Sequence, residues 1–194
     1  MNVLGIDASL RSSGWAIVNG HSLELLDFGV IKTKKTSDEN IDQTICDIAK
    51  ELLAYCQKYN VQAIGIEDGF VGKNMKTALT LARVRQGIIT GLMMNGVQVV
   101  YLQPSLVRSI LMQNGSASKE EVAARINFIY QGDERIAALG PFCDKNNKQK
   151  NSDIYDAIGV GIATSCTINP HLKESRLENS YANKRRRINK SKGV

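Results

Sequence analysis

The chain has 194 residues, 25 Lys+Arg against 19 Asp+Glu, a net charge of +6 and 43% apolar residues. This is the size of one domain with room for a tail, and the apolar share excludes a disordered chain. The charge is unevenly placed: residues 1–172 hold 17 basic and 17 acidic side chains, residues 173–194 hold 8 and 2, so the excess is a C-terminal arm of the kind that meets polyanions, nucleic acid foremost.

Residues 2–7, NVLGID, read as a short buried strand ending on an acid. Residues 13–19 and 22–31 read as two more strands, and Asn19-Gly20 between them is a tight-turn signal. Residues 40–58 place Ile41, Ile45, Ile48, Leu52 and Cys56 at helical spacing. A continuous apolar strand at 61–66 runs into Glu67. A helix at 75–94 and a fifth strand at 97–102 follow. Ser118 with Glu121 forms a capping box for a helix over 118–130. Residues 131–152 read as a polar loop, 153–166 as an apolar final helix, and the chain after Pro170 as flexible. The order is that of an α/β mixed sheet.

Cys46, Cys56, Cys143 and Cys166 form no C-x-x-C pair, and His21 and His171 are the two histidines, so neither a zinc site nor a disulfide scaffold is expected. Reduced thiols suit a cytoplasmic setting. The opening residues lack the basic start of a signal peptide. The stretch 86–102 is too short and polar to span a bilayer, so no membrane is expected.

Asp7 and Glu67 each end a strand, where ligands gather in open sheets. Asp153 and Asp156 are three apart and share a helix face. With Ser152 as N-cap, both would lie in the first turn, where the helix dipole favours their charge. Each acid alone has an ordinary reading: a loop cap, a solvated strand end or a helix cap. Together they are more specific, because four converging carboxylates stay ionised only beside cations. All-oxygen ligands suit Mg²⁺ or Mn²⁺, and two such ions can drive phosphodiester hydrolysis. From Gly69 to Lys119 there is no acid, and the window carries Lys73, Lys76, Arg83, Arg85, Arg108 and Lys119. That is what a phosphate-backbone track needs; a solvated helix with a chance bias is the plainer reading. Phe70, in a Gly-flanked loop, can be core or an exposed wedge that stacks on a base.

Four collinear stretches carry a resemblance: LGIDASLRSSGWAIV at 4–18, IGIEDGFVGKNMKTALTLARVRQGI at 64–88, PSLVRSILMQNGSASKEEV at 104–122 and SDIYDAIGVGIA at 152–163. They resemble RuvC-type Holliday junction resolvases of the RNase H-like superfamily. The resemblance implies a mixed five-stranded RNase H-like α/β sheet flanked by helices over 1–168, with 169–194 as a basic tail. It implies metal-binding catalytic roles for Asp7, Glu67, Asp153 and Asp156, and a junction-probing role for Phe70. Arg108 and Lys119 fall on basic positions near the scissile phosphate, Lys119 as a catalytic cation. DNA contacts are expected from Lys73, Asn74, Lys76, Arg83 and Arg85, and from Lys184, Arg185, Arg186 and Arg187 in the tail. The implied enzyme is a homodimer that cuts opposed strands of four-way junctions, leaving 5′-phosphates. It would use two Mg²⁺ ions, with Mn²⁺ as substitute and no small-molecule cofactor. Asp7 would bridge the ions, with Glu67 and Asp156 each completing one shell and Asp153 assisting one ion or orienting a water.

Some residues depart from the pattern. Ala8-Ser9 stands where cellular members have Pro-Gly. The 131–152 loop, with Lys145, Lys148 and Lys150, and the tail are both long. These departures suggest a bacteriophage-encoded member that also accepts forks, flaps and other branches. The competing readings are an RNase H-like nuclease acting on RNA or hybrids and a non-catalytic branched-DNA-binding module. A third, an actin-like ATPase or sugar kinase, wants glycine where Ser9 stands and a longer chain.

Overall fold

The computed structural model describes residues 1–34, 40–68, 75–143, 146 and 148–172. The described elements run β1 (Asn2–Asp7), β2 (Ser12–Asn19), β3 (Leu25–Lys32), α1 (Ile41–Lys58), β4 (Val61–Glu67), α2 (Met75–Met93), β5 (Gln98–Leu102), α3 (Pro104–Met112), α4 (Lys119–Ile129), α5 (Glu134–Ala137) and α6 (Ser152–Ile168). The sheet order is β3-β2-β1-β4-β5. β1, β2 and β3 form an antiparallel meander, and β4 and β5 add parallel strands beside β1.

Strand alternation divides the core in two. Leu4, Ile6, Trp15, Ile17, Ile64 and Ile66 face α1 and α2, where Ile45, Ile48, Leu52, Val84 and Ile88 meet them. Trp15 stacks on Tyr55 of α1 with ring centroids 3.9 Å apart. Ala16 and Val18 point the other way, into a cluster with α3, α4 and α6.

α6 is apolar on nearly every side because it is covered on nearly every side: twelve of its residues are buried. It lies close against the sheet because glycine stands beneath it. A Cβ on Gly5 would overlap the Ala157 carbonyl and the Gly161 amide, and one on Gly14 would overlap the Asp153 carbonyl. A side chain at either place would lift the helix that carries Asp153 and Asp156.

The structure departs from the sequence reading at several places. β2 and β3 are joined by residues 20–24, not by a two-residue turn. Asn19 Oδ1 accepts from the His21 and Ser22 amides at 2.9 and 3.0 Å, which opens a longer loop. α3 occupies a span for which no helix was expected; it starts on Pro104 and buries Val107, Ile110 and Leu111. The polar loop at 131–152 contains α5, and Cys143 bridges Gln149. The N-cap of α6 is Asn151, not Ser152. Asn151 takes a left-handed conformation, and its Nδ2 donates to the Leu139 carbonyl at 3.1 Å. Ser152 is thereby already helical. Asp153 is the acid of the first turn, and Asp156 lies beyond it. Past Pro170, Leu172 still packs into the core. Residues 173–194 lie outside the described residues.

Candidate active site

Asp7 ends β1 and Glu67 ends β4. The two strands are parallel neighbours with Ile6 opposite Ile66, so these carboxyl groups leave adjacent strand ends. Because Ile6 and Ile66 face α1 and α2, the period of two puts Asp7 and Glu67 on the α6 face. Asp7 also stands opposite Gly14 in the β1–β2 ladder, and Gly14 is where the Asp153 backbone meets the sheet. Asp156 follows about one turn later on the same helix face. Strand register and helix seating together bring four acids from three segments to one end of the sheet.

Their fields overlap. Asp7 is pushed up to about 7, first by burial and then by Asp156, Asp153 and Glu67, with Lys119 working against them. Burial and then Asp156 push Glu67 up to about 6, against Lys119, Arg108 and Arg85. Lys119 donates a hydrogen bond to Asp156 Oδ2. Burial opposes the lysine charge, but that bond and the fields of Asp156, Asp7 and Glu67 outweigh it and raise the group. Lys119 is the first residue of α4, and its backbone is pinned by the capping box: Ser118 N–H donates to Glu121 Oε2 at 2.7 Å, and Glu121 N–H donates to Ser118 Oγ at 3.2 Å. Arg85 of α2 donates from Nη1 to the Glu67 carbonyl at 3.4 Å. Arg108 of α3 lines a cleft with Glu67, Lys119 and Asp156.

The donor set is oxygen only, which suits a hard divalent cation. Among the described residues, no three His, Cys, Asp or Glu side chains converge as ready ligands. The hydrogen bonds show what engages the acids instead. Lys119 takes Asp156, while Ser12 Oγ donates to Asp153 Oδ2 and Ser152 Oγ donates to Asp153 Oδ1 at 3.2 Å. These donors hold two carboxylates whose charges also bear on Asp7. The chemistry of the set fits a cation, and the raised Asp7 and Glu67 are the groups that a cation would return to their charged forms.

Not every predicted contact residue joins this cluster. Arg83 turns toward α1, where its Nε and Nη2 bind Asp42 at 3.0 and 2.6 Å. Lys76 is exposed in the first turn of α2. Phe70, Lys73, Asn74, Lys145 and the tail residues Lys184, Arg185, Arg186 and Arg187 lie outside the described residues. Sequence reasoning missed Ser12. Its signal was positional: it sits two residues before Gly14, and so on the same strand face.

Comparison with known proteins gives a consistent result. The family described as crossover junction endodeoxyribonuclease RuvC matches residues 3–139, a span that includes Asp7, Glu67, Arg108 and Lys119 and stops short of α6. The RuvC of Anaplasma phagocytophilum (strain HZ) is 36% identical over 126 residues, covering 63% of this chain and 76% of the relative. The RuvC of Ehrlichia ruminantium (strain Welgevonden) is 32% identical over 169 residues, 84% of this chain and 94% of its own, and so extends past the family match. Among solved structures, Thermus thermophilus RuvC in complex with Holliday junction substrate shares the fold, with TM-score 0.65 and 20% identity over 87% of this chain and 95% of that one.

Proposed function

This chain belongs to the RuvC family of crossover junction endodeoxyribonucleases, and from that premise we propose that it is a divalent-metal-dependent endonuclease that resolves four-way DNA junctions by paired phosphodiester hydrolysis. The observation that carries the reading is the joint seating of Asp7, Glu67, Asp153 and Asp156 at the strand ends, with Lys119, Arg108 and Arg85 along one side. Those four carboxylates would hold two Mg²⁺ ions, with Mn²⁺ as substitute; bound there, the metal activates water and stabilises the leaving oxygen. The protein's own contribution is placement and charge. Lys119, already fixed by its cap, sits where a phosphate oxygen gains negative charge as the bond breaks. Arg108 and Arg85 offset the backbone charge beside Glu67. Release of Asp156 from Lys119 would free the carboxylate for metal and the ammonium for phosphate. The products would carry 5′-phosphates.

Two opposed cuts call for two centres, and we read the active form as a homodimer. Large apolar side chains left exposed on α2 and on edge strand β5, namely Met75, Leu79 and Tyr101, support a protein contact on that side. No helix among the described residues is long and apolar enough to cross a membrane. All four cysteines are free, in keeping with a cytoplasmic site of action.

The test is a panel of a four-way junction, a fork, a duplex and an RNA–DNA hybrid, each labelled on every strand, at one Mg²⁺ and salt concentration. The junction is expected to be cut fastest, with both opposed strands cleaved in one binding event. Preference for the hybrid would favour the RNA-directed reading, and single nicks alone would contradict the dimer. The basic arm at 173–194 is proposed to add electrostatic grip. Its removal is expected to weaken junction binding and to flatten the slope of log affinity against log salt. An unchanged slope would contradict that role.

A further inference from the structure

The cations placed so far lie on the β4 side of the carboxylates, and a bound DNA strand continues on the other side as well. We propose that Lys32 is a second phosphate-binding position, on the β3 side, that holds the DNA backbone next to the phosphate being cut. This rests on the nuclease reading above.

Strand direction places the residue. β1 is antiparallel to β2 and β2 to β3, so β3 runs with β1 and ends, at Lys32, on the same edge of the sheet as Asp7. Register places the side chain. Lys32 stands directly opposite Ser12, and directly opposed residues in an antiparallel pair share a face. The face of Ser12 is fixed by its hydrogen bond to Asp153. Phe28 and Val30, at alternate positions before Lys32, pack against the α6 side of the core, as the same parity requires. Lys32 therefore rises beside the acid cluster, one strand spacing, about 4.8 Å, beyond Ser12.

The end of β3 is held in place. Thr33 N–H donates to the Arg11 carbonyl at 3.1 Å, and Thr33 Oγ1 donates to the Leu10 carbonyl at 2.5 Å. The first of these bonds carries the β2–β3 pairing one step past Ser12, so alternation turns Arg11 toward the opposite face and leaves Lys32 as the cation on the carboxylate side. Lys32 is exposed, and among the described residues its side chain is engaged in no ion pair. A phosphodiester chain centred on the carboxylates would meet Arg108 and Lys119 on one side and Lys32 on the other.

The test compares the full-length protein with a Lys32→Gln variant, measuring affinity for a labelled four-way junction across a salt series without Mg²⁺, and Mn²⁺ binding separately. Losing one phosphate contact is expected to make the slope of log affinity against log salt shallower by roughly 1. Affinity should fall about tenfold near 0.1 M salt, with Mn²⁺ binding unchanged. Lys32→Arg should keep the slope. Lys50→Gln, which removes the same charge from α1, should leave it alone. An unchanged slope in the first variant overturns the proposal, as does a change in Mn²⁺ binding without one in DNA binding, which would make this residue a charge balancer for the carboxylates. If the unaltered protein itself does not bind the junction, the nuclease reading falls, and that outcome is distinct from both.

Discussion

Asp7→Asn is expected to reduce junction cleavage by roughly 10³-fold or more while junction affinity stays near that of the unaltered protein, and Glu67→Gln should behave in the same way. Both changes keep shape and remove charge. Asp7 also makes a prediction that separates lost chemistry from lost folding. Its carboxyl is raised from 3.8 to about 7 in the folded chain. The metal-free folded state therefore holds a proton that the unfolded chain has released, across the window from about 4 to about 7. Within that window the metal-free protein loses stability as pH rises, and the penalty is complete above about 7. Asparagine carries no such penalty. At pH 8 without metal, Asp7→Asn should therefore be more stable by a few kcal/mol, raising Tm by roughly 5–10 °C. Thermal denaturation in chelator reads this directly. A variant that still cleaves, or one that melts lower than the unaltered protein at pH 8, would contradict the placement of Asp7.

The second large effect comes from a residue with no chemistry of its own. Gly14 has the Asp153 carbonyl where its Cβ would stand. Gly14→Ala must push α6 away from β2 or bend the strand, and neither backbone can yield cheaply. Overpacking of this kind costs about 1–3 kcal/mol or more, so Tm should fall by roughly 5–10 °C. Cleavage should fall further than stability explains, because the displaced segment carries Asp153 and leads into Asp156. Denaturation paired with cleavage measured well below the new Tm checks this. Unaltered Tm and cleavage together would show that α6 is not seated as described.

Much of this was legible in the sequence, for reasons that can be named. β1 and β4 were readable because their apolar runs end on Asp7 and Glu67. α1 was readable because Ile41, Ile45, Ile48 and Leu52 keep helical spacing, and α4 because Ser118 and Glu121 complete a capping box. What was not legible depends on contacts across the chain. Ser152 resembled an N-cap, but Asn151 spends its side chain on the Leu139 carbonyl and enters the helix from a left-handed turn. α3 is short, and its Pro104 start followed a strand with no linker to announce it. The Arg83–Asp42 pairing was equally hidden, because it exists only where α1 lies against α2. The acids themselves could be picked out by position, but only the sheet register and the glycine-seated helix put Asp7, Glu67 and Asp153 together. Ser12 and Lys32 were invisible for the same reason: their meaning lies in being opposite each other.

The proposed chemistry requires these four carboxylates to form a cation site. Counting bound Mn²⁺ by electron paramagnetic resonance, on the unaltered protein and on Asp7→Asn, tests it without requiring cleavage. The unaltered protein is expected to bind two ions per chain at pH 8. Affinity should weaken as pH falls through about 7 and 6, where Asp7 and Glu67 take up the protons that the metal must displace. Asp7→Asn should lose most of that binding. Equal binding by the two proteins, or binding indifferent to pH between 5 and 8, would contradict the assignment.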